Sequence, residues 1–276
     1  MRVRRIAILI DGGFFLKKLH HLVPENRRDS AEAVADCARF LCKRHVQRLT
    51  GERFNKQHSR WLDSVYRLFF YDATPFTGSA HHPLENRQIF YEKTPEALFR
   101  NELFQQIRRQ RKFALRLGKV SKESEWQIKD PKLTKKLLST KDFIPHLKAL
   151  TEASSDSTIN EAQQRQLTNI FKLWEELGPD DLKLGLRQKG VDMRIGIDIT
   201  TLTLKRQVDT IILITGDSDF VPAAKVARRE GVEFLLDPMW QSVNDDLHEH
   251  VDGLVSAFPK PGSELDADQL PIDEPD

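Results

Sequence analysis

The chain is poor in cysteine. Cys37 and Cys42 are its only two in 276 residues. Their spacing makes neither a redox CxxC pair nor half of a zinc knuckle. A disulfide scaffold and a cysteine-held metal are therefore excluded, and both read as reduced thiols packed on a helix. Long apolar runs are also missing, and none approaches the roughly 18–20 residues that a membrane-spanning helix needs. Met1-Arg-Val-Arg-Arg has the charge of a signal-peptide start, but the apolar run behind it, Ile6 to Ile10, is too short and ends in Asp11. The expectation is a cytoplasmic protein with no membrane partner. The sequence holds no GxxxxGK[ST] and no GxGxxG, so nucleotide-cradling loops find no support. Its nine histidines form no HExxH and no triad-like signature.

Apolar residues make up 39% of the chain, enough for one good-sized α/β domain. The net charge of +2 is unevenly spread. Ser263 to Asp276 carry six acids and no Lys or Arg, which leaves +8 on the remainder. A body with that excess attracts polyanions. The reading is one domain over residues 1–257 followed by an acidic tail, 258–276, expected to be disordered.

Arg5-Ile-Ala-Ile-Leu-Ile10 has the continuous apolar character of a strand buried on both faces. Phe14 to Val23 reads as a helix stopped by Pro24, and Ser30 as the N-cap of a second helix reaching about Leu49. Ser64 to Tyr71 is the next strand and Asp72 to Pro83 a loop. Thr94-Pro95 opens a helix in the cap-then-proline manner, and Phe113 to Leu117 is a third strand. Residues of about 119–185 are polar and read as a helical insertion, with Ile144–Ala153 and Glu161–Leu177 its clearest helices. Thr210 to Thr215 is a fully apolar strand, Phe220 to Glu230 a helix ended by Gly231, and Val232 to Leu236 a further buried strand. Strands alternating with helices predict an α/β fold with an open parallel sheet flanked by helices. In such sheets ligands bind at the carboxyl ends of the strands.

Two of the most apolar strands end in acids. Asp11 follows Ile10 directly, and Asp217 and Asp219 follow Thr215 after Gly216. Parallel central strands would carry all three into one crevice. Carboxylates crowded there repel one another and call for a cation. Oxygen-only ligands suit Mg2+ or Mn2+, and such ions serve phosphoryl chemistry. Each acid also has a plainer reading, as a helix cap for Asp219 and a strand-end turn for Asp11. A third acidic segment, Lys189-Gly-Val-Asp192-Met-Arg-Ile-Gly-Ile-Asp198, alternates like a strand with Asp192 and Asp198 on one face. It fits equally a helix starting near Asp192 with Ile195, Ile199 and Leu202 buried, in which the two acids stand about 120° apart.

Ile8-Leu-Ile-Asp-Gly-Gly13, Lys189-Gly-Val-Asp192 with Asp198, and Ile214-Thr-Gly-Asp-Ser-Asp-Phe220-Val-Pro222 occur in this order. Together they resemble the NYN domain family, its LabA-like branch above all, over most of residues 4–257. The resemblance implies a PIN-like fold and a helix at Asp192. It also implies an acidic metal pocket of Asp11, Asp192, Asp198, Asp217 and Asp219 that hydrolyses RNA to a 5′-phosphate and a 3′-hydroxyl. Asp11, Asp192 and Asp217 match direct holders of Mg2+ or Mn2+, while Asp219 and Asp198 complete the shell or orient water. Asp11, Asp192, Asp217 and Asp219 are the catalytic set. Many members carry an Asn shortly after the first Asp, and Gly13-Phe14-Phe15 offers none here.

Lys189 is a candidate to touch the scissile phosphate, with an ordinary solvated lysine as its plainer reading. Arg108, Arg109, Arg111 and Lys112, with Arg116, Lys119 and Lys122 behind them, form the densest basic stretch and a second candidate grip on RNA. Phe14, Tyr71 and Phe76 lie near strand ends where a base could stack. The rival reading is a non-catalytic RNA-binding module that retains the pocket. A homodimer is compatible with either.

Overall fold

A computed structural model describes residues 4–51, 60–145, 147–148 and 161–261. Its strands are β1 (Ile6–Asp11), β2 (Val65–Thr74), β3 (Ser79–His82), β4 (Arg87–Phe90), β5 (Phe113–Ile128), β6 (Leu182–Lys189), β7 (Thr210–Ile214), β8 (Glu233–Asp237) and β9 (Gly253–Leu254). The helices are α1 (Gly12–Leu22), α2 (Ala31–Thr50), α3 (Pro95–Arg109), α4 (Pro131–Ser139), α5 (Glu161–Glu175), α6 (Val191–Leu204), α7 (Val221–Arg229) and α8 (Asp245–Glu249). None is long and apolar enough to cross a membrane among the described residues.

Seven strands form one sheet in the order β6-β5-β2-β1-β7-β8-β9. The pairs β1/β2, β1/β7, β2/β5, β7/β8 and β8/β9 are all parallel. The chain divides into two compact units: Met1–Phe76 with Glu92–Ser121 and Gln188–Asp276, and Thr77–Tyr91 with Lys122–Arg187.

The first unit explains why its strands are apolar throughout. β1 alternates between two cores. Ile6, Ile8 and Ile10 pack with Phe15 and Leu19 of α1, Leu41 of α2 and Leu103 and Ile107 of α3. Ala7 and Leu9 pack with Ile195 and Ile199 of α6, Ala224 and Ala227 of α7 and Leu247 of α8. Helices therefore cover both faces, as a parallel sheet requires. This is the expected α/β, PIN-like architecture. Ser30 caps α2 as its sequence indicates, accepting from the Ala33 N–H at 3.1 Å, and α2 ends on left-handed Gly51. Thr94 caps α3 in the same way. Cys37 and Cys42 are free and buried. The start of the expected disordered tail, 258–276, is corrected: Phe258 is buried in the core beside Phe40, while residues 262–276 lie outside the described residues.

The second unit keeps helices within the insertion expected over residues of about 119–185, α5 matching the expected Glu161–Leu177 helix, but corrects its ends, which are strands. β5 does not stop near Leu117 but continues to Ile128. Half-buried Ser124, Trp126 and Ile128 alternate with exposed Glu125 and Gln127, a two-residue period masked by polar composition. The insertion also ends in a strand, β6. Part of the expected Asp72–Pro83 loop is strand as well: β2 reaches Thr74, and β3 pairs antiparallel with β4, Ser79 facing Phe90. α4 starts at the Asp130 cap with Pro131 behind it, and Trp174 of α5 donates to the Thr140 hydroxyl at 3.3 Å. The His82 and Trp126 rings meet edge to face, 4.5 Å apart. Most of the expected Ile144–Ala153 helix lies outside the described residues.

Candidate functional site

The site starts where β1 becomes α1 without a loop. Asp11 ends the strand and caps the helix, its Oδ1 accepting from the Phe14 N–H at 3.1 Å. Gly12 makes this abrupt junction possible. A Cβ there would stand 2.6 Å from the Tyr71 carbonyl oxygen and 2.6 Å from the Phe70 ring, so only glycine lets α1 start this close to β2. Thr215, just beyond β7, donates to the other Asp11 oxygen at 3.4 Å, and its hydroxyl accepts from the Asp217 N–H at 3.3 Å. Asp217 in turn takes the Asp219 N–H at 3.0 Å, capping the short Ser218–Phe220 turn that leads into α7. The capping acids are thus Asp11 and Asp217. Asp219, the acid whose spacing most resembles a cap, does not cap α7.

Asp192 stands exposed in the first turn of α6. The segment is a helix, with Val191, Ile195, Ile199 and Leu202 buried at helical spacing. Asp192 and Asp198 consequently face different surroundings. Asp198 is buried and fully engaged. Its Oδ2 accepts from the Tyr71 hydroxyl at 2.8 Å and from Arg116 Nε at 2.9 Å, and its Oδ1 from Arg116 Nη2 at 2.5 Å. With both oxygens held by this pair, Asp198 is a structural anchor between α6, β2 and β5 and is not suited to the ion-binding part expected of it.

Electrostatics separate the remaining acids from this pair. Burial pushes the Asp11 carboxyl up to about 6; the N–H groups of Phe14 and Gly13 oppose the rise, and the charges of Asp192 and Asp72 add to it. Partial loss of water around the exposed Asp192 raises its carboxyl, and the charges of Asp217 and Asp219 add to the rise. Asp192 is thus coupled by like charge to Asp11 on one side and to Asp217 and Asp219 on the other, and the four acids share one negative field. That field suits a hard cation, and the donors are all oxygens. As placed, no group of three or more His, Cys, Asp or Glu among the described residues is ready to hold a metal. Two of the four acids are turned instead toward the backbone N–H groups they cap.

Asp72 is a site residue that sequence reasoning missed. Asp11 is level with Tyr71, so Asp72 lies one position further along β2. It is fully buried, paired with Arg100 of α3, and accepts from the Gln188 amide at 3.0 Å and the Ala73 N–H at 2.8 Å. Burial raises its carboxyl, and Arg100 and those donors pull it back. The signal was present: an acid closing an aromatic strand, as Asp11 closes β1.

The basic stretch is corrected by register. Ile8 pairs with Leu68 and Leu68 with Phe113, so Phe113 enters the sheet three positions before Asp11. Arg108, Arg109, Arg111 and Lys112 precede it, at the amino edge, whereas the acids lie at the carboxyl edge. Lys112 is also committed, its ammonium donating to the carbonyls of Leu62, at 2.7 Å, and Val65. Arg116 belongs to Asp198. Tyr71 is fully buried and cannot stack a base. Lys189 ends β6, exposed, three residues before Asp192.

No curated protein matches the chain. A crystal structure of a protein of unknown function from Vibrio parahaemolyticus resembles it at 13% identity, covering 98% of this chain and 99% of that one with a TM-score of 0.39, too distant to inform the site. The family model of the NYN domain matches residues 102–257, which contain Asp192, Asp198, Asp217 and Asp219. That is more than half of the chain, and the chain belongs to the NYN domain family, whose domains are in general RNA-directed nucleases.

Proposed function

We propose that this protein is a divalent-metal-dependent ribonuclease. One observation carries the reading: Asp11 closes β1, Asp217 and Asp219 follow β7 at the same edge of the sheet, and Asp192 is coupled by like charge to all three. Isolated structural acids are paired, as Asp72 and Asp198 are. An unrelieved cluster is costly unless a ligand compensates it, and that cost is commonest at functional sites.

Asp11, Asp192 and Asp217 would hold Mg2+ or Mn2+, with Asp219 completing the shell. Such an ion, when bound, supplies an acidified water and neutralises the charge that develops on a phosphodiester. The protein supplies the rest. Thr215 orients Asp11 and the turn carrying Asp217 with one hydroxyl. Asp192 and Asp219 stand exposed, open to an incoming ligand from solvent. Lys189, three residues before Asp192, would meet the phosphate on that side. The substrate is RNA and the compartment cytoplasmic.

A second reading, a non-catalytic RNA-binding module, is favoured by one observation: two of the acids serve as caps and no ready-made ligand group exists among the described residues. Labelled single-stranded RNA incubated with Mg2+ or Mn2+ separates the two. The nuclease reading expects cleavage by the wild type that Asp11→Asn and Asp192→Asn abolish. Binding without cleavage under either ion would establish the rival, and cleavage that survives both substitutions would remove the acids from the mechanism.

A further inference from the structure

Beside the acids, a groove of about 420 Å3 opens between α6 and α7, lined by Met193, Gly196, Thr200, Pro222 and Val226, with Asp192 and Asp219 in its wall. Met193 is 71% exposed there, and exposed Ile197 and Leu204 continue an apolar stripe along α6. Gly196 is the telling residue. Glycine inside a helix is destabilising relative to alanine, and a close neighbour usually explains it. Here an added Cβ would meet nothing within 4 Å. Packing does not require the glycine; what its absent side chain does is keep the groove floor open.

We propose that this groove receives one unpaired nucleobase of a single-stranded RNA whose neighbouring phosphate lies at the acids. This rests on the nuclease reading and adds the form of the substrate. Asp192 and Asp219 belong both to the groove wall and to the acidic set, so a base in the groove is continuous with a phosphate held there. The polarisable Met193 thioether, the apolar Pro222 ring and the bare backbone at Gly196 leave room and apolar contact for an aromatic ring. A paired base is not available to such a groove, because recognition of this kind works on bases splayed out of a stack.

The test is fluorescence anisotropy of a short labelled single-stranded RNA, and of the same sequence as a duplex, on the full chain with Ca2+ in place of Mg2+. Wild type is compared with Gly196→Trp, which fills the groove, and Met193→Ser, which removes one wall. Single-strand affinity is expected to fall about tenfold in Gly196→Trp and severalfold in Met193→Ser, while duplex affinity stays within about twofold. Thermal melts check the fold, and if Gly196→Trp melts early, Met193→Ser decides. Wild-type affinity in both variants, or equal losses for strand and duplex, overturns the proposal. So does a dimer of the wild type that Gly196→Trp dissociates, since the groove would then seat a second copy. A wild type that binds neither RNA overturns the nuclease reading itself, a result distinct from binding that ignores the groove.

Discussion

The Arg116 guanidinium holds both oxygens of Asp198, Nε to Oδ2 at 2.9 Å and Nη2 to Oδ1 at 2.5 Å, with the Tyr71 hydroxyl on Oδ2 as well. An acid so engaged stabilises the fold. Asp198→Asn is expected to cost about 1–3 kcal/mol in a denaturant melt, the range for charge-assisted bonds, at the lower end because Arg116 is partly exposed. Asp192→Asn, one and a half turns earlier and exposed, should leave stability unchanged or raised while abolishing turnover. Equal stability losses in the two variants would contradict this division of roles.

Asp11 predicts the opposite trade. Its folded-state carboxyl is raised to about 6 from 3.8, so the fold binds this proton more tightly than the unfolded chain does. The contribution to stability is fully present below the unfolded value and is lost as pH rises through about 6. Asp11→Asn keeps a good cap and removes the charge. It should therefore melt a few degrees above wild type near neutral pH, and the difference should shrink in mildly acid buffer. A melting temperature lowered at neutral pH would show that the carboxylate stabilises the fold.

At the carboxyl end of β8, level with Ile10, the His45 Nε2 and Asp237 Oδ2 atoms lie 2.8 Å apart with both side chains buried. Asp237 also accepts the N–H groups of Met239 and Ala257. His45→Ala leaves that acid without its ring partner in the interior. Thermal or urea unfolding should show a loss of about 1–3 kcal/mol with the acidic site intact. Near-wild-type stability would mean the carboxylate is satisfied by its backbone donors alone.

The position of the basic stretch yields a negative expectation. Arg108→Glu with Arg109→Glu should leave RNA affinity and its salt dependence unchanged, because these side chains belong to the amino edge of the sheet. Removing a side chain that neutralises one phosphate would shallow the slope of log affinity against log salt by about 0.7–0.9. A shallower slope would place RNA across that edge after all.

How much of this was legible in the sequence depends on which interactions are local. Ile6–Ile10 and Thr210–Ile214 announce buried parallel strands, and the acids that close them follow from chain order alone. Ser30, Thr94 and Gly231 mark helix ends through groups only a few residues away. Asp198 is different: its partners Arg116 and Tyr71 are 82 and 127 residues distant, so its engagement was invisible. The Arg108–Lys112 stretch looked like a grip on RNA because composition carries no register, and register puts it at the edge opposite the acids. Asp72 was hidden by ending its strand at Tyr71, three residues short of Thr74. The extension of β5 was concealed by Lys, Glu and Ser at positions where alternation matters more than hydropathy.

The central claim, that four acids form one ion site from which Asp198 is separate, is tested most directly by titrating Mn2+ into the RNA-free protein and following binding by calorimetry or electron paramagnetic resonance. Wild-type protein is expected to bind Mn2+, with affinity that weakens at least about tenfold in Asp11→Asn and Asp192→Asn, survives in Asp198→Asn, and weakens as pH falls below about 6 with protons competing for Asp11. Binding lost in Asp198→Asn while its fold is intact, or retained in both Asp11→Asn and Asp192→Asn, would contradict it.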